Sequence, residues 1–459
     1  MTKSITKTIH QCLGPLIAFI MFLVAMHFGM PREAAWTLGV TIWVAWWWIT
    51  EAIPIPAASL LPFVLLPLGG ILPFQHATLA FGNHVIILFM AAFMLARGIE
   101  HSGVHERIAL SLVTKLGGTN GKLIVFAFMG AVAFLSMWIS NTAAVLALLP
   151  VAIAIATATG NKRFQMALLL GLAYAASLGG VATLIGTPPN LVFASVYQTF
   201  SGTEMSFMRW MGYGLPIVLL GLPLVAIWLT RGLRLSEPVQ LKAIGPFNSH
   251  EKRALTVFGA VVLLWITRLE PFGGWSSWFN LAMVGDATVA LAGVVAMFLV
   301  GDKQGGRLLT WERAVEIPWG VLLLFAGGIC LAEGFMQSGL SDIIGEALAA
   351  YTALPVWLLV LLLGLSVSFL TEITSNTATA TLLMPILAST ALAAGLPIEL
   401  LMIPAVVACS CAFCLPVATP PNSIVFSSGL ITIKEMAREG AVLNVILACV
   451  TTLVVVVLV

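Results

Sequence analysis

The chain has 459 residues, of which 60% are hydrophobic and only 9% charged, with a mean hydropathy of +1.05 and a formal net charge of +2. A soluble domain carries roughly 25% charged residues, so these values exclude one, and no basic patch speaks for nucleic acid. Apolar runs of about 20 residues, enough to span a bilayer, recur along the whole chain, and the fold class is an all-α polytopic membrane protein.

The first apolar run, about 12–30, follows Lys3 and Lys7. It lacks a small-x-small cleavage site and is long for a signal peptide, so it reads as an uncleaved first span. Further spans are expected near 34–50, 54–72, 84–100, 166–198, 213–231, 254–268, 284–301, 319–338, 400–428 and 441–459. Two other apolar segments, 124–157 and 355–391, hold a polar run in the middle with Pro150 or Pro385 after it. Each is long enough for two half-helices that enter the membrane and turn back. Non-helical backbone at that depth is tolerated only where it is buried or lines a cavity. The expected architecture is therefore about 11 transmembrane helices plus two re-entrant helical hairpins. It divides into N-terminal spans (1–83), a first repeat (84–231) with hairpin 124–157 and broken helix 166–198, a cytoplasmic linker (232–253), and a second repeat (254–459) with hairpin 355–391 and broken helix 400–428.

The repeat is explicit. "FLSMWISNTAAVLALLPV" at 134–151 matches "FLTEITSNTATATLLMPI" at 369–386, an offset of 235. "IGTPPNLVFAS" at 185–195 matches "VATPPNSIVFSS" at 417–428, an offset of 232, and "LARGIEHSGV" at 95–104 matches "LAEGFMQSGL" at 331–340, an offset of 236. The flanks carry opposite charge signatures. Arg97, Arg107, Lys115 and Lys122 precede the first S-N-T, whereas 333–358 holds Glu333, Asp342 and Glu346 and no Lys or Arg. With a cytoplasmic N-terminus and an external C-terminus, all of the 21 Lys and Arg except Arg32, Arg209 and Arg268 fall on the cytoplasmic side, in accord with the positive-inside rule. The two repeats are then inverted, a layout of secondary transporters whose sites lie near the midplane at broken helices.

Four stretches converge on that place: Ser140-Asn141-Thr142, Ser375-Asn376-Thr377, Gly186-Thr187-Pro188-Pro189-Asn190 and Ala418-Thr419-Pro420-Pro421-Asn422. A single S-N-T is ordinarily a helix N-cap and a single T-P-P-N an ordinary turn; duplication in register, inside membrane segments, argues for more. Each hairpin tip starts a half-helix, whose free N–H groups and positive dipole end suit a carboxylate. Hydroxyl, amide and unpaired carbonyl oxygens at the same breaks suit a hard cation such as Na+. No Lys or Arg lies in the motifs, so a dianion there needs cations bound beside it.

Other features are weaker. Trp43, Trp46, Trp47 and Trp48 read as lipid or interface packing, and Glu51, Pro54 and Pro56 as a structural turn. Cys409, Cys411 and Cys414 form C-x-C-x2-C without a histidine nearby and read as small packing residues. His101 and His105 read as solvated, and His84 begins a span on the external side. Glu372 lies at membrane depth, where it is either functional or orients the hairpin. No Ser/His/Asp set, metal motif or cofactor loop points to an enzyme.

The paired S-N-T motifs, "ITEAIPI", "LAEG…SGL" and the T-P-P-N breaks resemble the divalent anion:sodium symporter family, the INDY-type dicarboxylate transporters, over about 40–459. The resemblance is greatest to its bacterial succinate-type members, in the inner membrane. It implies a homodimer in contact with membrane lipid, whose protomers each hold a scaffold and a transport domain that slides as an elevator. It implies one Na+ site at Ser136, Ser140, Asn141 and the Gly186 carbonyl, and another at Thr371, Thr374, Asn376 and the Ala418 carbonyl. Substrate carboxylates would meet Asn141, Thr142, Asn376 and Thr377, with Thr187, Thr419 and Pro420 lining the pocket. Sodium-independent exchangers in the family share much of this pattern, and citrate or sulfate are alternative dianions.

Overall fold

In lipid every backbone polar group must be bonded internally, and the described residues answer with helices. The computed structural model describes residues 2–117, 120–233, 245, 247–269, 273–302, 305–349 and 354–459. Among these, α1 (Thr2–His27), α2 (Arg32–Thr50), α3 (Ile55–Ala58), α4 (Leu61–Leu68) and α5 (Phe74–Leu79) come first. Next comes a series of α6 (His84–Ser102), α7 (Val104–Leu116), α8 (Gly121–Ser136), α9 (Asn141–Thr159), α10 (Lys162–Gly180), α11 (Pro188–Ser201) and α12 (Phe207–Leu229). After α13 (Ser249–Ile266), α14 (Gly274–Trp278), α15 (Asp286–Leu299) and α16 (Trp311–Ala314), the series recurs. It runs as α17 (Trp319–Gln337), α18 (Leu340–Ala349), α19 (Val356–Leu370), α20 (Asn376–Ala393), α21 (Ile398–Ser410), α22 (Pro420–Phe426) and α23 (Ile433–Leu458).

The same local chemistry sets matching boundaries in the two series. Ser140 caps α9 by accepting from the Ala143 N–H at 3.2 Å, and Ser375 caps α20 by accepting from Ala378 at 3.5 Å. Thr187 and Thr419 are extended, and the prolines that follow occupy the first turns of α11 and α22, where a missing N–H costs nothing. Seven described helices are long and apolar enough to cross a membrane, and the chain is a multi-pass membrane protein. Asn141–Thr159 and Asn376–Ala393, the second arms of the two segments read as hairpins, are among the seven. The stretch 54–72, expected as one span, is instead the short pair α3 and α4, separated at Ser59 and Leu60. Pro54 and Pro62 start the two pieces, and Ser59 turns its hydroxyl back onto the Ile55 carbonyl at 2.8 Å. Most of the linker expected over 232–253 (234–244 and 246) lies outside the described residues.

The two series interlock. Helix α22 packs on α9 and α10, and α11 packs on α20 and α21, so each series places its second broken helix against the hairpin of the other. Helix α10 is buried from Phe164 to Gly180. His105, expected in solvent, is buried because α7 folds back onto α8 and α9, and that burial pushes its pKa below the ordinary histidine value.

Ion pairs clasp the interlock at two ends. Glu439 on α23 pairs with Arg231 at 2.6 Å and Arg438 at 2.9 Å, approaches Arg163 on α10 at 3.5 Å, and accepts from the Trp228 indole at 2.9 Å. Glu399 at the start of α21 pairs with Arg209 on α12 at 2.9 Å and accepts from the Tyr197 hydroxyl at 2.8 Å. Arg163 and Glu399 occupy matching positions, 236 apart, so the twin clasps use opposite charges. The Glu439 side chain is fully buried, whereas that of Glu399 is 12% exposed. A fully buried pair is costly to break and an exposed one contributes about 0–1 kcal/mol; both clasps fall between, because their arginines are 29–65% exposed, with the Glu439 carboxylate the more buried of the two acids. Glu439→Ala is therefore expected to lower the thermal unfolding temperature in detergent clearly more than Glu399→Ala; equal drops would remove the clasp at Glu439 as the stronger one.

Candidate functional site

The interlocking brings the four polar stretches to one cavity of about 580 Å³. Of the residues singled out in the sequence, Ser140, Asn141, Thr142, Gly186, Thr187, Thr374, Asn376, Thr377, Ala418, Thr419 and Pro420 line it. Ser136 and Thr371 do not. They are buried one turn behind the tips, where the Ser136 hydroxyl donates to Asn141 Oδ1 and the Thr371 hydroxyl to Asn376 Oδ1, both at 2.5 Å. Each hydroxyl holds its asparagine oxygen in one orientation, with a further lone pair still available.

The breaks are tied in the same twofold way. Asn190 Nδ2 donates to the carbonyls of Gly180 at 3.1 Å and Thr183 at 2.7 Å. Asn422 Nδ2 donates to those of Ala412 and Leu415, both at 3.0 Å. Each amide thus replaces two helical N–H donors that the break removes. The Oδ1 atoms of both asparagines are buried and accept from no donor among the described residues.

Glycine makes the first oxygen cluster possible. A Cβ on Gly180 would lie 2.9 Å from the Gly186 carbonyl oxygen and 3.0 Å from Asn141 Oδ1. A Cβ on Gly186 would lie 2.9 Å from the Ser136 carbonyl oxygen and collide with the Gly180 carbonyl. Oxygens from α8, the α9 tip, α10 and the following break therefore crowd one spot. Such all-oxygen surroundings suit a hard cation, and no group of three His, Cys, Asp or Glu side chains is placed for a metal among the described residues. At the second tip, Thr374 Oγ1 donates to the Leu370 carbonyl at 3.0 Å and shares a 2.7 Å bond with Thr379. Thr419 caps α22 by accepting from the Asn422 N–H at 3.2 Å, while Thr187 makes no such cap. No Lys, Arg or His is found among the described residues lining the cavity; the ionisable ones are Glu51 and Glu372.

Several lining residues carried no signal in the motifs. Ala92, Phe93 and Ala96 come from α6, and Pro318 and Val321 from the start of α17. Trp48 departs from its three neighbours: it lines the cavity and donates its indole N–H to Ser59 Oγ at 3.0 Å. Glu51, which reads as part of a turn, indeed ends α2 in the left-handed conformation (φ 47°), and it stands at the cavity wall.

Residues 45–403 match the family model described as citrate transporter. The sodium-dependent dicarboxylate transporter SdcS of Staphylococcus aureus strain USA300 is 40% identical over 475 aligned positions, covering 97% of this chain and 90% of that protein. Its namesake in Staphylococcus saprophyticus is 40% identical over 469 positions, covering 96% and 89%. The chain belongs to the divalent anion:sodium symporter family. The YdaH transporter of Alcanivorax borkumensis, solved as a crystal structure and described there as having an unusual topology, superimposes with a TM-score of 0.59 at 14% identity. That match covers 83% of this chain and 87% of that one, and it is a likeness of fold.

Within this symporter-family fold, Gly186 leaves no room for a Cβ. Gly186→Ala is expected to force the break away from α10 at a cost of about 1–3 kcal/mol, the usual range for overpacking. Gly130→Ala, where a Cβ meets nothing within 4 Å, is expected to be neutral or slightly stabilising. Thermal unfolding of the two purified variants checks this; Gly186→Ala unfolding at the wild-type temperature would contradict it.

Proposed function

We propose that the chain is a sodium-coupled symporter that brings C4-dicarboxylates such as succinate, malate and fumarate into the cell across a bacterial inner membrane. The observation that carries this reading is electrostatic: the cavity offers helix N-termini, amides and hydroxyls to an anion but no cationic side chain among its described residues. A dianion taken out of water there is costly unless cations bind beside it, and the oxygen clusters at the two tips suit Na+. The family membership and the sodium-dependent dicarboxylate transporters among its relatives support the same reading.

In this reading Asn141 and Asn376 serve both ligands. Each amide oxygen, set by Ser136 or Thr371, faces a cation. Ser140 and the Gly186 carbonyl complete one site, Thr374 and the Ala418 carbonyl the other. The amide N–H groups, with Thr142 and Thr377, meet the two substrate carboxylates at opposite tips, and Thr187, Thr419 and Pro420 close the walls. The hydrophobic barrier is crossed by moving the whole two-tip unit, elevator fashion. Interlocked repeats clasped by ion pairs suit a body that moves without coming apart. The charge asymmetry assigns the far ends of α2 and α6 and the start of α17 to the cytoplasmic side.

The match to a citrate transporter model favours one other reading, a tricarboxylate or other multivalent anion on the same site. Uptake of labelled succinate into proteoliposomes, with and without a Na+ gradient and in competition with malate, fumarate, citrate and sulfate, decides between them. Expected are strict Na+ dependence and competition by C4-dicarboxylates. More Na+ ions should move than the dianion has charges, so an inside-negative potential stimulates uptake. Asn141→Ala and Asn376→Ala are each expected to reduce uptake by more than about 100-fold, beyond the loss typical of an outer-shell partner, with membrane insertion intact. Uptake indifferent to Na+ and to potential would favour exchange, and citrate as the best competitor would favour the tricarboxylate reading.

A further inference from the structure

The two broken helices are not equivalent, and the difference centres on Glu372. Helix α10 runs to Gly180, whereas α21 ends at Ser410, two residues short of Ala412, which matches Gly180 at the 232-residue offset. In the first repeat the next N–H groups still find helical acceptors: Val181 donates to the Leu178 carbonyl at 3.0 Å and Ala182 to Gly179 at 3.1 Å. In the second repeat the matching residues, Phe413 and Cys414, lie in unwound chain. Their N–H groups donate instead to Glu372 Oε1, at 2.7 and 2.8 Å, and the Leu415 N–H donates to Glu372 Oε2 at 3.1 Å. Asn444 Nδ2 on α23 is the carboxylate's fourth donor, reaching Oε1 at 2.8 Å. Glu372 is 4% exposed. The position that matches it in the first repeat, at offset 235, is Met137, which has no carboxylate to offer.

The carbonyls of the same segment are also tied. Ser368 donates to Cys411 at 3.3 Å, Asn422 to Ala412 and Leu415, and the Tyr174 hydroxyl to Phe413 at 2.8 Å. An unwound segment buried in a membrane protein is stable only when its backbone groups find such partners. A buried carboxylate is likewise acceptable only when several charge-assisted bonds replace its water.

We propose that Glu372 is a positioning residue for the second cation site. It stands one residue after Thr371 and two before Thr374, and its carboxylate grips 413–415, just ahead of Ala418. It therefore sets how far the hairpin-tip oxygens, including Asn376 Oδ1, stand from the Ala418 carbonyl. Glu372 itself makes no contact with the cation in this assignment. In the first repeat the corresponding spacing comes from the glycines 180 and 186, which need no such strut. The inference rests on the sodium-coupled reading above.

The test uses the purified full-length protein, with thermal unfolding followed across a Na+ series balanced with choline, and Na+ activation of succinate uptake in proteoliposomes. Wild-type protein is expected to unfold at rising temperature as Na+ binds the folded state. Glu372→Gln, which places an amide donor against backbone N–H groups, should raise the half-maximal Na+ concentration by about 10–100-fold in both readouts. Uptake should recover at saturating Na+. Glu372→Asp and Asn444→Ala should shift it in the same direction by less. A purely structural role would lower the unfolding temperature equally with and without Na+ and leave the Na+ midpoint unmoved; that result overturns the inference. If Glu372→Gln does not fold, an unmoved Na+ midpoint in Asn444→Ala overturns it instead. Wild-type protein that ignores Na+ in both readouts refutes the sodium-coupled reading itself, an outcome distinct from failure of the Glu372 assignment.

Discussion

Every interrupted helix in this protein has to solve one problem: backbone N–H and carbonyl groups inside an apolar body must find partners without water. Asn190 and Asn422 solve it by bridging pairs of carbonyls across the breaks. Ser140 and Ser375 solve it by capping the helices that follow the tips, and Glu372 by collecting three N–H groups at once. Because these side chains supply such partners, helix ends can stand in the interior rather than at the membrane surface. The cavity exists where those ends meet.

The second consequence is electrostatic. Helix ends supply partial charges and oriented dipoles without any full positive charge, and the lining found here has acids but no Lys, Arg or His among its described residues. An anion alone is poorly served by such a place, and a bound cation makes it habitable. Bound together they neutralise each other in low dielectric, where the attraction is strongest. In the proposed mechanism this need is the coupling itself: the dianion does not bind well enough to be carried unless Na+ is bound beside it. In that mechanism the twin clasps at Glu439 and Glu399 are what keep both halves of the site in one body.

Much of this was legible in the sequence because polar residues inside apolar runs are conspicuous. Ser140, Asn141, Ser375 and Asn376 stand at helix starts, and the Pro-Pro pairs at 188–189 and 420–421 open second helices, as their residue types require. Other features were hidden because they depend on long-range packing. Nothing local says that the indole of Trp48 reaches Ser59 and walls the cavity, or that His105 is covered by neighbouring helices. The stretch 54–72 reads as one unbroken helix because hydropathy averages over Pro54, Ser59 and Pro62, where the helix is in fact split. Glu372 shows the limit most sharply. Its oddity was visible as an acid where its twin is Met137, but its partners at 413–415 and 444 lie far along the chain.

The central claim is that the two tips face each other because the repeats are inverted in the membrane. The most direct measurement labels matched positions from one side. Glu106 on α7 and Asp342 on α18 are 236 residues apart, occupy equivalent places and are both exposed. Single cysteines are placed at each in a background lacking the six native ones, of which Cys12 and Cys449 are exposed. An impermeant thiol reagent applied to intact cells is predicted to label Asp342→Cys and to reach Glu106→Cys only after permeabilisation. Labelling of both from the same side would make the repeats parallel and contradict a site shared between opposed tips.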